Sequence, residues 1–346
     1  MPRDIMTDQL VPHSKLTQGN VQAQGLIFAL MGYGLLSVGD AIVKSMTPIW
    51  PGTAIAVLRY MMAAIGLGVL LLLREGRDGF RVAHMGLHWA RGGAIAFSAL
   101  CFFIGIRLIP LADATAITFI MPMIAGLLSA IFFREKMSSR AILATCVAFL
   151  GVLIILRPNL LAAGPAAMLP LGSAFGMACL MLLNQRVAGS ASLLATQFIV
   201  AALAVPFLLA TALLGHVSGI PSLEIGWPHW SVILRCAIVA VSASVAHALI
   251  FMATTRASAA TVAPMTYAQL LVAMAISTLV FNHPPDLTSI GGSALIVGAG
   301  LYIWRSARPR STIPNPRSPI RSRRWSIWSA ASSSVRKARI SRAPIS

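Results

Sequence analysis

Asp40 and Lys44 stand one helical turn apart in an apolar stretch, and Arg59 lies in the next one. Folding the chain back near Pro48 brings Asp40 and Arg59 to similar depth, since both lie about two to three helical turns from the bend. Opposite charges in apolar surroundings read as an ion pair at a gate or cavity wall, because an isolated charge there is costly. A structural pair, with Lys44 reaching outward to water, is the plainer account. A second set could meet a polar, partly aromatic ligand: Tyr33, Thr118, Met121, Pro122, His247, Pro264, Tyr267 and Gln269. Pro122 and Pro264 each fall inside an apolar run, where proline removes a backbone donor, frees a carbonyl and bends the helix. Tyr267 and Gln269 are the sharpest side chains, since a buried phenol and amide both need partners, although helix-to-helix hydrogen bonds account for them too.

Catalytic, metal and cofactor chemistry find less support. Ser242, Ser244 and His247 have no carboxylate placed to orient a base. His84 and His88 have a metal-like spacing but no third ligand, and are expected to be solvated loop histidines. The glycines lack the strand-to-helix setting of a nucleotide site. Gly172 to Gly176 fits close helix packing instead. Cys101, Cys146, Cys179 and Cys236 fall singly in apolar runs and read as small core residues. No catalytic residue, metal or cofactor is expected.

The elements that must position these residues are membrane helices. The chain is 57% hydrophobic and 10% charged, with a mean hydropathy of +0.81, where soluble domains carry roughly 25% charged residues. Ten spans are expected at about 21 to 44, 51 to 73, 88 to 106, 110 to 133, 138 to 156, 166 to 184, 192 to 214, 229 to 253, 258 to 281 and 287 to 304. The formal charge of +18 is mostly a tail: eleven basic residues lie in 305 to 346 with no acid among them. That location points to an anionic lipid surface, not to nucleic acid. With both termini cytoplasmic, eleven basic residues before the tail fall on the inner side against four on the outer, as expected of a multi-pass protein of the cytoplasmic membrane.

The chain also repeats itself. The stretch Leu108 to Leu156 reads as span, charged turn, span, with Asp113 the only charge in its first 26 residues. Thr255 to Trp304 repeats it at an offset of about 146 residues. Five spans per copy is an odd number, so the second copy enters the membrane from the opposite face. The fold expected is an all-α membrane protein of ten transmembrane helices in two inverted five-helix repeats.

Two copies of a unit of about 130 residues, the turn Phe133, Arg134, Glu135, a mid-span proline in each copy, the run Asp40 to Lys44 and Arg59 together resemble the EamA-type domain pair of the drug/metabolite transporter superfamily. The resemblance covers about residues 22 to 305. It implies EamA-like repeats at 21–157 and 166–304, while the composition of the flanks reads as a disordered cytoplasmic lead, 1–20, and a basic disordered cytoplasmic tail, 305–346. It also implies that spans five and ten stand away from a central cavity lined by the others. The second copy has His283 or a neighbour where the first has Glu135, so any role of Glu135 belongs to one half. The function expected is a secondary transporter of a small polar metabolite working by alternating access. A membrane-embedded enzyme and a non-transporting scaffold are the alternatives.

Overall fold

A computed structural model describes the backbone of residues 12–133, 139–187, 191–256 and 263–307. Their regular structure is all helical, with no strand among the described residues. In chain order the helices are α1 (Pro12–Met46), α2 (Gly52–Glu75), α3 (Met85–Leu108), α4 (Leu111–Thr118), α5 (Met121–Phe133), α6 (Ser139–Ala163), α7 (Leu169–Val187), α8 (Leu193–Val217), α9 (Trp230–Arg256), α10 (Tyr267–Leu279) and α11 (Leu287–Ala307). The turn at Arg134 to Ser138, the first eleven residues and the tail from 308 lie outside the described residues.

Local chemistry sets the helix ends. Pro51 and Pro110 precede α2 and α4 with fixed φ of −57° and −54°. Ser192 caps α8 by accepting from Ala195 N at 3.0 Å. Asp286 caps α11, accepting from Ser289 N at 2.7 Å and from the Thr288 hydroxyl at 2.9 Å. Those bonds, the amide first, hold the Asp286 carboxyl below the usual carboxylate range. Two boundaries differ from expectation. Helix α1 begins at Pro12, a residue suited to a first helical position, so the expected lead is helical from there. Helix α6 runs through Pro158 to Ala163, because the Asn159 side chain donates to Ile155 O at 2.8 Å and supports the backbone the proline disturbs.

Among the described residues, seven stretches are long and apolar enough to cross a membrane: 23–46, 52–80, 85–108, 111–132, 142–187, 193–217 and 230–253. Shorter apolar helices follow at Tyr267–Leu279 and Leu287–Tyr302. Large apolar side chains such as Leu73, Phe132, Leu161 and Leu279 are at least 70% exposed, which suits lipid and not water.

The main helix pairs are α1 with α9, α3 with α7 and α8, α2 with α8, α6 with α11, and α1 with α10. Each joins a helix before residue 164 to one after it. The core is therefore the seam between the halves. Small residues bring helices together there: Gly176 of α7 lies against Ala94 O of α3, and Ser98 Oγ donates to Ser173 O at 3.0 Å. Gly151 and Gly292 face each other where α6 crosses α11, and a methyl group on either would fall 2.6 Å from the other's carbonyl oxygen. Of the cysteines, Cys101 and Cys236 are core residues as expected, whereas Cys146 is exposed on α6.

Candidate functional site

The interruption between α4 and α5 follows from Pro122, which has no N–H to give to the Thr118 carbonyl. The backbone tightens there: Phe119 N donates to Ala116 O (3.1 Å), Ile120 N to Ile117 O (3.2 Å) and Met123 N to Ile120 O (2.9 Å). The Thr118 hydroxyl turns back to Thr115 O at 2.6 Å, Met121 is half-buried and Pro122 is exposed. In the other half, the backbone at Pro264 lies in a 3-10 turn, Ala263–Thr266, that leads straight into α10. At the offset of about 146 residues between the copies, the two interruptions coincide.

They also meet in space. The Phe119 and Tyr267 rings are 5.6 Å apart and tilted by 42°. Beside them Gln269 Nε2 donates to Asp40 Oδ2 at 3.2 Å, joining α10 to α1. Tyr33 lies two turns before Asp40 on the same face of α1 and packs with Phe28 and Met265 against Ala29 and Ala253. The Arg59 guanidinium lies 5.2 Å from the Tyr60 ring and 5.3 Å from the Phe103 ring, as a cation does over aromatic faces.

Asp40, Tyr60 and His247 are each deep among protein atoms, and Arg59 is close enough to act on all three through its charge. Yet Asp40 and Tyr60 keep part of their surface open, and His247 is exposed. His247 Nδ1 donates to Ala243 O at 2.7 Å, which leaves Nε2 as an acceptor. Among the described residues, no three His, Cys, Asp or Glu side chains gather as a metal site.

Three expectations are corrected. Asp40 and Arg59 form no direct ion pair, the ion pair among the described residues being the exposed Arg81–Asp78 at 3.5 Å. The two rings hold the guanidinium, and Gln269 serves the carboxylate. Lys44 does not reach out to water: its Nζ donates to Ile106 O and Ile109 O, both at 2.8 Å, and so caps carbonyls at the end of α3 that have no helical donor. His88 is not a solvated loop residue, because α3 starts at Met85 and buries it. Its Nδ1 accepts from Arg91 at 2.8 Å, and Arg91 Nε donates to Asn184 Oδ1 at 2.7 Å.

The sequence reading assigned no role to a second polar cluster. Asp113 Oδ1 accepts from Ser289 Oγ at 2.6 Å and Oδ2 from Asn159 Nδ2 at 2.9 Å, with all three side chains buried. The signal was there, since an acid alone in a long apolar stretch needs partners.

Gly300 of α11 gives the Tyr267 hydroxyl its room, for a methyl group there would collide with it. Gly300→Ala is therefore expected to push the ring off Phe119 and to weaken the affinity for any ligand held there about fivefold at unchanged abundance, loss of an aromatic pair being worth about 1 kcal/mol. Adding Tyr267→Phe should recover most of the loss. Apparent ligand affinities of the parent and the two variants check this.

The EamA-like transporter family matches residues 23–157 and again 164–305. An S-adenosylmethionine uptake transporter of Rickettsia bellii is 23% identical over 285 residues, covering 80% of this chain and 94% of the relative. A riboflavin transporter of Brucella anthropi is 25% identical, covering 81% and 97%. The pseudopaline exporter CntI of Pseudomonas aeruginosa is 26% identical, covering 82% and 97%. A solved crystal structure shares the fold with a TM-score of 0.55 at 19% identity, covering 83% of this chain and 98% of its own. With two family matches that together span most of its length, the chain belongs to the EamA-like transporter family.

Proposed function

We propose that the chain is a secondary transporter that carries a small polar metabolite across the cytoplasmic membrane by alternating access, on ten transmembrane helices in two inverted five-helix repeats. The stretch 142–187 holds two of the ten, α6 and α7, joined by the 3-10 turn Gly164–Met168. The shorter α10 and α11 complete the second repeat. The pairing of α1 with α9 and of α3 with α7 supports the inverted relation, because each joins the first helix of one copy to the third of the other.

The observation that carries the reading is the meeting of the two helix interruptions, Phe119 on Tyr267, beside Asp40, Gln269 and Arg59 at the seam. Such half-helix ends at a repeat interface are where transporters of this architecture hold substrate. The aromatic pair suits a planar ring, and Asp40 and Arg59 suit groups of opposite charge. S-adenosylmethionine and riboflavin, for which relatives are named, both combine a planar heterocycle with polar substituents. The basic residues favour cytoplasmic termini, and contact of residues 305–346 with anionic lipid belongs to the same proposal. Contacts across the seam support a closed outer side on this orientation: α4 packs on α10, Trp50 Nε1 donates to Gly226 O at 3.0 Å, and Arg235 donates to Ser45 at 3.3 Å.

The enzyme alternative loses support from the hydroxyls near His247. Ser242 and Ser244 donate to Val239 O and Ala240 O of their own helix, at 3.2 and 2.8 Å. The transport reading is tested by uptake and counterflow in proteoliposomes of the purified protein, with S-adenosylmethionine, riboflavin and a panel of amino-acid-derived metabolites under varied pH and sodium gradients. Counterflow above that of empty liposomes is expected for at least one compound. Its absence across the panel would overturn the substrate reading.

A further inference from the structure

Within the apolar parts of the described helices the acidic residues are Asp40 and Asp113. Asp40 belongs to the site proposed above, whereas Asp113 is 6% exposed and lies in the first turn of α4, where a negative charge also suits the helix dipole. Each of its oxygens has one donor, and the 2.6 Å bond from Ser289 is in the range of a hydroxyl given to an ionised carboxylate. Asn159 sits on α6 of the first copy and Ser289 on α11 of the second. Behind them, the crossing of Gly151 over Gly292 allows no closer approach of these two helices. The α6–α11 pair is thus a close-packed post, and the Asp113 carboxylate is bonded to both of its helices. Five residues beyond Asp113, α4 stops at the interruption that presents Phe119. Lys44 on α1 and Asp286 before α11 are the other charges that act on Asp113. The corresponding position of the second copy is Ala259, which carries no carboxylate.

We infer that Asp113 is a positioning residue of the transport cycle: its bond from Ser289 fastens the half-helix α4 to the second copy, keeps the outer end closed, and opens when that end opens. The inference rests on the alternating-access reading above, but its test requires no substrate. The full chain is used with Cys101, Cys146, Cys179 and Cys236 changed to alanine and with Thr115→Cys as reporter. Thr115 is buried on α4 and its hydroxyl makes no hydrogen bond, so the exchange breaks none. A membrane-impermeant maleimide is added from either side of oriented vesicles, and the labelling rate is read for the parent, Ser289→Ala and Ser289→Thr.

Ser289→Ala is expected to raise the rate from the outer side about fivefold, the population shift produced by losing one net hydrogen bond, with no rise from the inner side. Ser289→Thr, which keeps the hydroxyl, should label like the parent. Asp113→Ala, which removes both acceptor oxygens, should shift the rate in the same direction as Ser289→Ala. An unchanged outer rate overturns the proposal, as does an equal rise from both sides. Failure of Ser289→Ala to reach the membrane overturns it too, since a bond broken in every cycle cannot be one the fold depends on. A labelling shift without transport of any panel compound would leave the latch standing and remove only the substrate reading.

Discussion

Arg59→Ala is expected to lower transport about a hundredfold while much of the protein still reaches the membrane, because truncating one member of a desolvated charge set costs about 2 to 5 kcal/mol. The guanidinium is held over Tyr60 and Phe103, has no acid bonded to it, and acts on both Asp40 and His247. Removing it takes away the donor fork that a substrate anion would meet and leaves Asp40 with Gln269 alone. Lysine should restore only a small part, since a compact ammonium neither stacks on two rings nor presents two parallel donors. Combining Arg59→Ala with Asp40→Asn should recover abundance without recovering transport, because the unmatched charge is gone but the site is too. Uptake normalised to protein in the membrane decides the matter. Parental transport by Arg59→Ala would move the anion contact elsewhere.

The largest effect on stability is expected at Gly292. A leucine there would drive its side chain into the Gly151 carbonyl and Ile155, and backbone cannot yield as a flexible side chain can. The cost is expected to be ~3 kcal/mol, the upper part of the range for overpacked cores, and to show as reduced membrane abundance and a lower melting temperature in detergent. Gly298→Ala, on the same helix but with nothing within 4 Å, should melt like the parent. Equal behaviour of the two variants would mean that α6 and α11 are not tightly joined.

Much of this architecture could be read before any coordinates. Pro122 and Pro264 announced paired interruptions because proline leaves a chemical mark that no neighbour alters. Asp40 and Arg59 were expected at a common depth, since depth follows from counting residues along two helices. Their choice of partner was not legible. It depended on Phe103, Gln269 and their lateral positions, which helical counting does not give. Lys44 shows the same limit: its stem was long enough for water or for the end of α3, and only the packing of α1 against that end decided between them. His88 was misplaced because the loop before it ends early, at His84 in the left-handed region with φ of 59°. The Asp113 cluster had a visible acid but invisible partners, Asn159 and Ser289 being unremarkable until α6 and α11 set them beside it.

The buried Arg91 bears on how such a chain is made. Its acceptor Asn184 follows 93 residues later, and the Ser289 partner of Asp113 follows 176 residues later. A ribosome therefore delivers α3 and α4 to the bilayer well before their counterparts exist. An arginine set in mid-bilayer costs about 2.5 to 3.5 kcal/mol on insertion scales, less near a helix end, and until α7 emerges His88 alone is at hand to share it. The amino-terminal half is thus a nascent intermediate with debts that its sequel settles. Cut within the turn Gly164–Met168, the two pieces would have to find each other before either could mature.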